Sequence, residues 1–301
     1  MNKYHLSGED KQFLAQYHVE RYERPSVATD MAIFSIMEEG EQDNFRKLPP
    51  KALKLLLIQR SSCPFKNKWA LPGGFCKSNE DVYNTARREL YEETGIQNAY
   101  LNLAGIYGEV GRDPRGWIIS HTFLALVDGE RCRLQADTDA KAAQWFALRV
   151  EAKEHKRHTD ENAAYIETDY ELHLENEKSG VKLYAKVREY KQFAEYHETV
   201  TYEIMECEGL AFDHAKIILQ TLLGLRKNAR NEIQIVFDLM PEFFTLTQLQ
   251  NAFELVLGQN LLAANFRRKI NDYVIETEQI IEGAGHRPAK LFKRNVEAFY
   301  R

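Results

Sequence analysis

The segment from Gly74 to Ile96 constrains this 301-residue chain more than any other. It begins at a Pro72-Gly73-Gly74 break, which ends the apolar run before it. It closes on Gly95, the residue type that most easily takes the left-handed conformation ending a helix. Between them, residues 80–94 read as a helix, and Ser78 with Asp81 three residues on has the spacing of a capping box. Along that helix Glu89, Glu92 and Glu93 fall at i, i+3 and i+4 and share one face. Tyr83, Ala86 and Leu90 form an adjoining apolar strip, so the helix is expected to lie on a sheet with its acids turned aside. Arg88 is placed to hold a carboxylate. Clustered carboxylates repel one another unless a cation intervenes, and an all-oxygen donor set suits Mg²⁺ or Mn²⁺. Three glutamates on one face equally describe a solvated acidic helix, and their spacing alone does not choose.

The flanking sequence supplies the sheet. Apolar runs at residues 26–37 and 53–59 bracket a polar loop with Pro49 and Pro50 and read as strands. Residues 69–75 lead through the glycine break, and further strands are expected at 100–107, 117–127 and 143–148. Residues 150–208 alternate apolar with polar at 170–175, 181–187 and 199–205 around a Lys178-Ser179-Gly180 turn, which reads as a β-rich insertion. A helix is expected over 210–223, ending near Gly224, then helices at 231–240, 246–257 and 262–272 and two short strands around 283–288. Residues 226–301 hold 11 Lys and Arg against 9 Asp and Glu, whereas residues 150–208 hold 8 against 15. The C-terminal segment therefore permits contact with nucleic acid and the insertion repels it.

Composition excludes several classes of protein. With 44% hydrophobic and 28% charged residues, the chain has the makeup of folded domains, which rules out wholesale disorder. No run approaches the roughly 18 apolar residues of a spanning helix, and the N-terminus lacks the apolar stretch of a signal peptide, so a cytoplasmic protein with no membrane partner is expected. Cys63, Cys76, Cys132 and Cys207 form no CxxC pair and read as reduced thiols rather than disulfides or a zinc site.

The whole segment, Gly74-X5-Glu80-X7-Arg88-Glu89-Leu90-X-Glu92-Glu93-X-Gly95-Ile96, resembles the Nudix box, GX5EX7REUXEEXGU with U apolar, at all its specified positions. Chance gives such a match on the order of once in ten million chains. The resemblance implies an α+β Nudix fold, a mixed sheet between helices, and metal-assisted attack of water on a nucleoside diphosphate linkage. By position, Glu89, Glu92, Glu93 and the Gly74 carbonyl would hold Mg²⁺ or Mn²⁺, with Glu92 and Glu93 serving catalysis and Arg88 orienting the cluster. The general base is open between a clustered glutamate and Glu109. The loop Arg112-Asp113-Pro114-Arg115-Gly116 resembles the RDPRG segment of ADP-ribose-type Nudix proteins. It implies ADP-ribose or a related nucleotide sugar as ligand, with Arg112, Asp113 and Arg115 as contacts. Gln59, Arg60, Phe65, Trp69 and Phe75 resemble the same subfamily's pattern. Arg60 and Phe75 are read as ligand contacts, an aromatic among the five as suited to stack on adenine, and Trp69 as core.

The sequence Leu210-Ala211-Phe212-Asp213-His214 resembles that subgroup too, where it follows the last Nudix strand directly; the insertion departs from this pattern. Asp213 and His214 read as a helix cap and a structural partner. Further on, Thr245 and Gln248 fit a capping box, Gly258 a helix stop, Arg267, Arg268 and Lys269 a cationic helix, and Arg287 and Lys290 a basic wing. These stretches, FTLTQLQ, NFRRKI and GHRPAKLF, resemble the winged helix-turn-helix domain of Nudix-related transcriptional regulators. The implied organisation is a Nudix domain over 1–225 and a winged-helix domain over 226–301. A homodimer on duplex DNA is expected, those five cations contacting phosphates or base edges. Three functions follow: a Mg²⁺-dependent hydrolase coupled to DNA binding, a non-catalytic ADP-ribose-sensing regulator, or a plain hydrolase whose C-terminal domain only dimerises.

Overall fold

The structure, a computed structural model, describes residues 5–39, 50–97, 99–132, 134, 140–159, 163–194, 197–281 and 288–300. Strand β1 (Ser26–Glu38) buries Met31 and Ile33 on one face and Ala32 and Phe34 on the other. A strand apolar on both faces belongs in the middle of a covered sheet. It runs antiparallel to β2 (Lys51–Arg60) and to β4 (Gly73–Phe75), and parallel to β6 (Ile118–Leu126). Beyond β6 lies β5 (Tyr100–Tyr107), and β3 (Trp69–Ala70) pairs with β2. On the other flank come β7 (Ala140–Thr159), β8 (Ala163–Asn176), β9 (Val181–Ala194) and β10 (Glu198–Glu208). One mixed sheet results, in the order β10-β9-β8-β7-β2-β1-β6-β5.

Helices cover both faces, as expected for a Nudix fold. Helix α1 (Gly8–Gln16) buries no residue. Helix α2 (Val82–Thr94) packs Ala86 and Leu90 onto Met31, Ile33, Leu56 and Phe123. Helix α3 (His214–Asn231) lays Ile217, Ile218 and Leu222 against the opposite face, over Phe34, Leu55 and Phe146.

The insertion is not a separate module. Leu172, Leu174, Leu183, Ala185 and Val187 join the core beneath α3, so its strands widen the sheet on which that helix lies. They run well past the expected 143–148, 170–175, 181–187 and 199–205, because charges pair across strands on the face turned away from α3. Asp169 faces Arg188 at 2.6 Å and Glu175 faces Lys182 at 2.7 Å. Complementarity between strands is invisible to a pattern read one strand at a time.

Helix α3 likewise overruns its expected end at Gly224, continuing to Asn231. Leu225 and Ala229 are each 1% exposed, and their burial outweighs the roughly 1 kcal/mol cost of a mid-helix glycine. Beyond it lie α4 (Gln234–Phe237), a single turn where 231–240 was expected, then α5 (Leu246–Leu257) and α6 (Ala263–Ile270). The Thr245–Gln248 capping box forms in both directions, and Gly258 ends α5 at a left-handed φ of 67°. Strands β11 (Val274–Ile281) and β12 (Ala289–Arg294) form an antiparallel hairpin. They flank the expected 283–288, of which residues 283–287, Arg287 included, lie outside the described residues. Leu225 and Ala229 share one core with Phe237, Leu249, Phe253 and Val256. The boundary expected between 225 and 226 therefore falls inside a helix.

Candidate functional site

The acidic end of the site is built around one guanidinium. Asp81, not Ser78, caps α2, accepting the Asn84 N–H at 2.8 Å. Glu80 is thereby left in the preceding turn, where it accepts from Arg88 Nε at 3.0 Å and from Thr85 Oγ1 at 3.0 Å. Arg88 Nη1 donates to Glu89 at 2.7 Å and Glu92 at 3.0 Å, and Nη2 to the Phe75 carbonyl at 3.4 Å. Hydrogen bonds with Glu80 above all raise the Arg88 pKa, and the same contact lowers that of Glu80. Glu89 and Glu93 are buried, and Glu92 lies at the rim.

A side chain at Gly74 would collide with the Glu89 carboxylate. Glycine thus lets the loop backbone and Glu89 share the space a cation needs, and carboxylates with a carbonyl are the donors Mg²⁺ or Mn²⁺ prefers. Among the described residues no three His, Cys, Asp or Glu side chains already stand as a metal cage. Here Arg88 engages two of the three glutamates.

The opposite wall carries the residues expected to contact ligand, and several of them brace one another. One cleft of about 350 Å³ contains both walls, whereas a roomier groove of about 900 Å³ beside Met37, Trp145 and Ser179 contains none of the box. Arg112, expected to touch ligand, lines the cleft with its side chain largely buried and clamped to Asp213 by Nε at 3.0 Å and Nη2 at 2.7 Å. The clamp ties the loop to the N-cap of α3. Asp113 also lines the cleft; it is buried and takes Arg115 Nε and Nη2 at 3.0 and 2.7 Å, so it aims Arg115. Arg115 Cζ lies 5.3 Å from the Phe75 ring centre, and both groups line the cleft. Arg60 lines it as well, its Nε donating to the Pro64 carbonyl at 2.8 Å.

Other expectations resolve similarly. Trp69 is core, edge-on to Phe146 at 4.8 Å, and Gln59 braces the Asn67 carbonyl at 3.1 Å. Phe65 lies 4.7 Å from Phe212, outside the cleft lining. Glu109 is not among the lining residues; its exposed carboxylate accepts from Lys216 at 2.6 Å. Asp213 stands at the N-cap of α3, yet its side chain serves Arg112 instead of the helix. His214 is the structural partner expected: its Nδ1 accepts the Leu71 N–H at 2.9 Å, which leaves Nε2 bearing the proton, 3.8 Å from Asp30. Burial pushes the His214 pKa down and keeps it neutral.

Two site residues were not expected. Asp30 accepts from Ser120 and lies 3.8 Å from Arg112; an acid in the middle of a mainly apolar strand was its only trace. Phe212 projects into the cleft from a left-handed φ of 52°, and its motif gave a location without a role.

Of the five cations expected to meet DNA, four are described: Arg267, Arg268 and Lys269 on α6 and Lys290 on β12. On α6, Phe266 and Ile270 face the core, which turns Asn265, Arg267, Arg268 and Lys269 to solvent. Arg268 is steadied by Asn265 at 3.2 Å, and Lys269 reaches back to the Arg230 carbonyl at 3.4 Å. Lys290 pairs with Glu276 across the hairpin. The four described cysteines are free thiols, and no described helix is long and apolar enough to cross a membrane.

A mixed sheet between helices, bearing a complete box on α2 and running through α3 into a winged helix, defines a Nudix domain joined to a DNA-binding type of domain. Sequence comparison agrees: residues 48–168 match the NUDIX domain and residues 236–293 the NrtR DNA-binding winged helix domain. The chain is 32% identical over 287 residues to the ADPR responsive transcriptional repressor NtrR of Acinetobacter baylyi, covering 94% of this chain and 88% of that one. It is 40% identical over 139 residues to the ADP-ribose pyrophosphatase of Methanocaldococcus jannaschii, covering 46% of this chain and 70% of the relative. Among solved structures, a MutT/nudix family protein from Enterococcus faecalis superposes with a TM-score of 0.64 at 26% identity, covering 95% and 93% of the two chains. This chain belongs to the NrtR-type family of Nudix-related transcriptional regulators.

Proposed function

We propose that this protein is a metabolite-responsive transcriptional regulator. Its winged helix binds duplex DNA, and its Nudix cleft binds ADP-ribose or a related nucleoside diphosphate sugar and retains hydrolysis dependent on Mg²⁺ or Mn²⁺. The observation that carries this reading is the unbroken box, ordered by Arg88, in the same cleft as Arg60 and Arg115. The two relatives, an ADPR responsive transcriptional repressor and an ADP-ribose pyrophosphatase, support its two halves.

Glu89, Glu92, Glu93 and the Gly74 carbonyl are the groups that would hold the cation, which when bound neutralises diphosphate charge and acidifies water. The rest is positioning by the chain itself. Arg88 keeps the glutamates registered against the Phe75 carbonyl, Asp113 aims Arg115, and His214 pins the backbone at Leu71, three residues before Gly74. A homodimer suits the DNA half, since a symmetric pair of winged helices matches an inverted repeat.

A gel shift with the gene's own upstream DNA, run with and without ADP-ribose and at several salt concentrations, tests the regulator. Wild type should bind a selected site, lose affinity with salt and respond to ADP-ribose, and a double Arg267→Glu, Arg268→Glu variant should lose the complex. Absence of salt-sensitive, site-selective binding by the wild type removes the regulator and leaves a hydrolase. Release of AMP and ribose 5-phosphate on adding Mg²⁺ tests catalysis, and a DNA response to ADP-ribose without turnover reduces the protein to a sensor.

A further inference from the structure

Phe212 is held where an L-residue is uncommon. Its φ of 52° is left-handed, a conformation that costs a phenylalanine energy and persists only when its surroundings impose it. They do so from both sides: the Ala211 N–H donates to the Trp69 carbonyl at 2.8 Å, and the Asp213 side chain is locked to Arg112 at 2.7 Å. The turn between these anchors thrusts the ring into the cleft. There the guanidinium carbon of Arg60 lies 4.9 Å from its centre and that of Arg115 5.2 Å away, while Phe65, outside the cleft lining, packs on it at 4.7 Å. Aromatic faces attract guanidinium groups, whereas two such groups brought together repel. One ring therefore gathers two cations, across the cleft from buried Glu89 and Glu93.

We propose that Phe212 is the positioning residue of an anion seat: its ring holds Arg60 and Arg115 together so that both reach one phosphate or diphosphate group of the ligand. This rests on the reading that the cleft takes a nucleoside diphosphate sugar, and it makes the grip of Arg60 and Arg115 on that ligand's phosphates depend on a positioning residue outside the box and outside the Arg112–Gly116 loop. Asp113 occupies Nε and Nη2 of Arg115, which leaves Nη1 to donate.

The test is calorimetric titration of the full-length protein, free of metal, with inorganic diphosphate and with ADP-ribose. Phe212→Leu, which keeps an apolar side chain but removes the aromatic face, should weaken both about tenfold, while Phe212→Tyr stays within about twofold. Wild-type diphosphate affinity in Phe212→Leu overturns the proposal. Arg60→Gln should weaken diphosphate binding with the ring in place, which also keeps the test decisive should the leucine variant not fold. Combined with Phe212→Leu it should cost less than the two losses together, because both changes remove the same cation, and additive losses overturn the proposal. Wild type that binds diphosphate but not ADP-ribose sinks the functional reading and spares this one. Wild type that binds neither removes both.

Discussion

Glu93 is 4% exposed at the floor of the cleft, so changing its charge while keeping its shape interrogates the metal site with little disturbance of packing. Glu93→Gln should lower ADP-ribose turnover by orders of magnitude with an unchanged circular dichroism spectrum, and wild-type turnover would remove Glu93 from the metal site. His214 predicts a pH effect. Burial holds its folded pKa below 6.5, so the unfolded chain takes up a proton the native state refuses. The stability this neutral imidazole contributes is fully present above about pH 6.5 and is lost as pH falls from there through the lowered folded value. In His214→Asn, whose amide oxygen can accept the Leu71 N–H without titrating, Tm should fall less between pH 7 and pH 5 than in the parent; equal slopes would contradict it. The box residues were legible because seven residues on one helix and its leading loop fix their own geometry. The roles of Arg112, Asp213, Phe212 and Asp30 were not, since they arise from contacts between distant segments: the residues of the Arg112–Asp213 clamp are 101 apart in sequence.

Gly224 shows why the longest helix was read short. The space around a Cβ there is open, so Gly224→Ala should stabilise the protein by about 0.5–1 kcal/mol and raise Tm by about 2 °C. A lowered Tm would mean that the helix needs glycine at that point. Elements bounded by their own chemistry were legible to the residue: β5 spans 100–107, and the capping box and Gly258 delimit α5 at 246–257. Elements bounded by a neighbour were not. The start of α2 moved because Glu80 serves Arg88 instead of the helix. The strands of the insertion grew because Lys182, Arg188 and their acidic partners complete one another only after pairing.

The largest scale is set by the core that α3 shares with both domains. Ile217, Ile218 and Leu222 seal the sheet, Leu225 and Ala229 seal the winged helix, and Arg226 Nε donates to the Val256 carbonyl at 3.3 Å. Two domains that bury one continuous core unfold together. Calorimetry of the full chain should therefore show a single transition whose calorimetric and van't Hoff enthalpies agree, and two resolved transitions would show that the shared core is too weak to couple the domains. The 18 residues of α3 reach about 27 Å at 1.5 Å per residue. This gives the protein an unusual seam for anyone recombining such chains. A donor winged helix joined after Leu225 would inherit half a helix whose buried face was shaped by another sheet, so the smallest transferable part starts at Phe212 and takes part of one wall of the cleft with it.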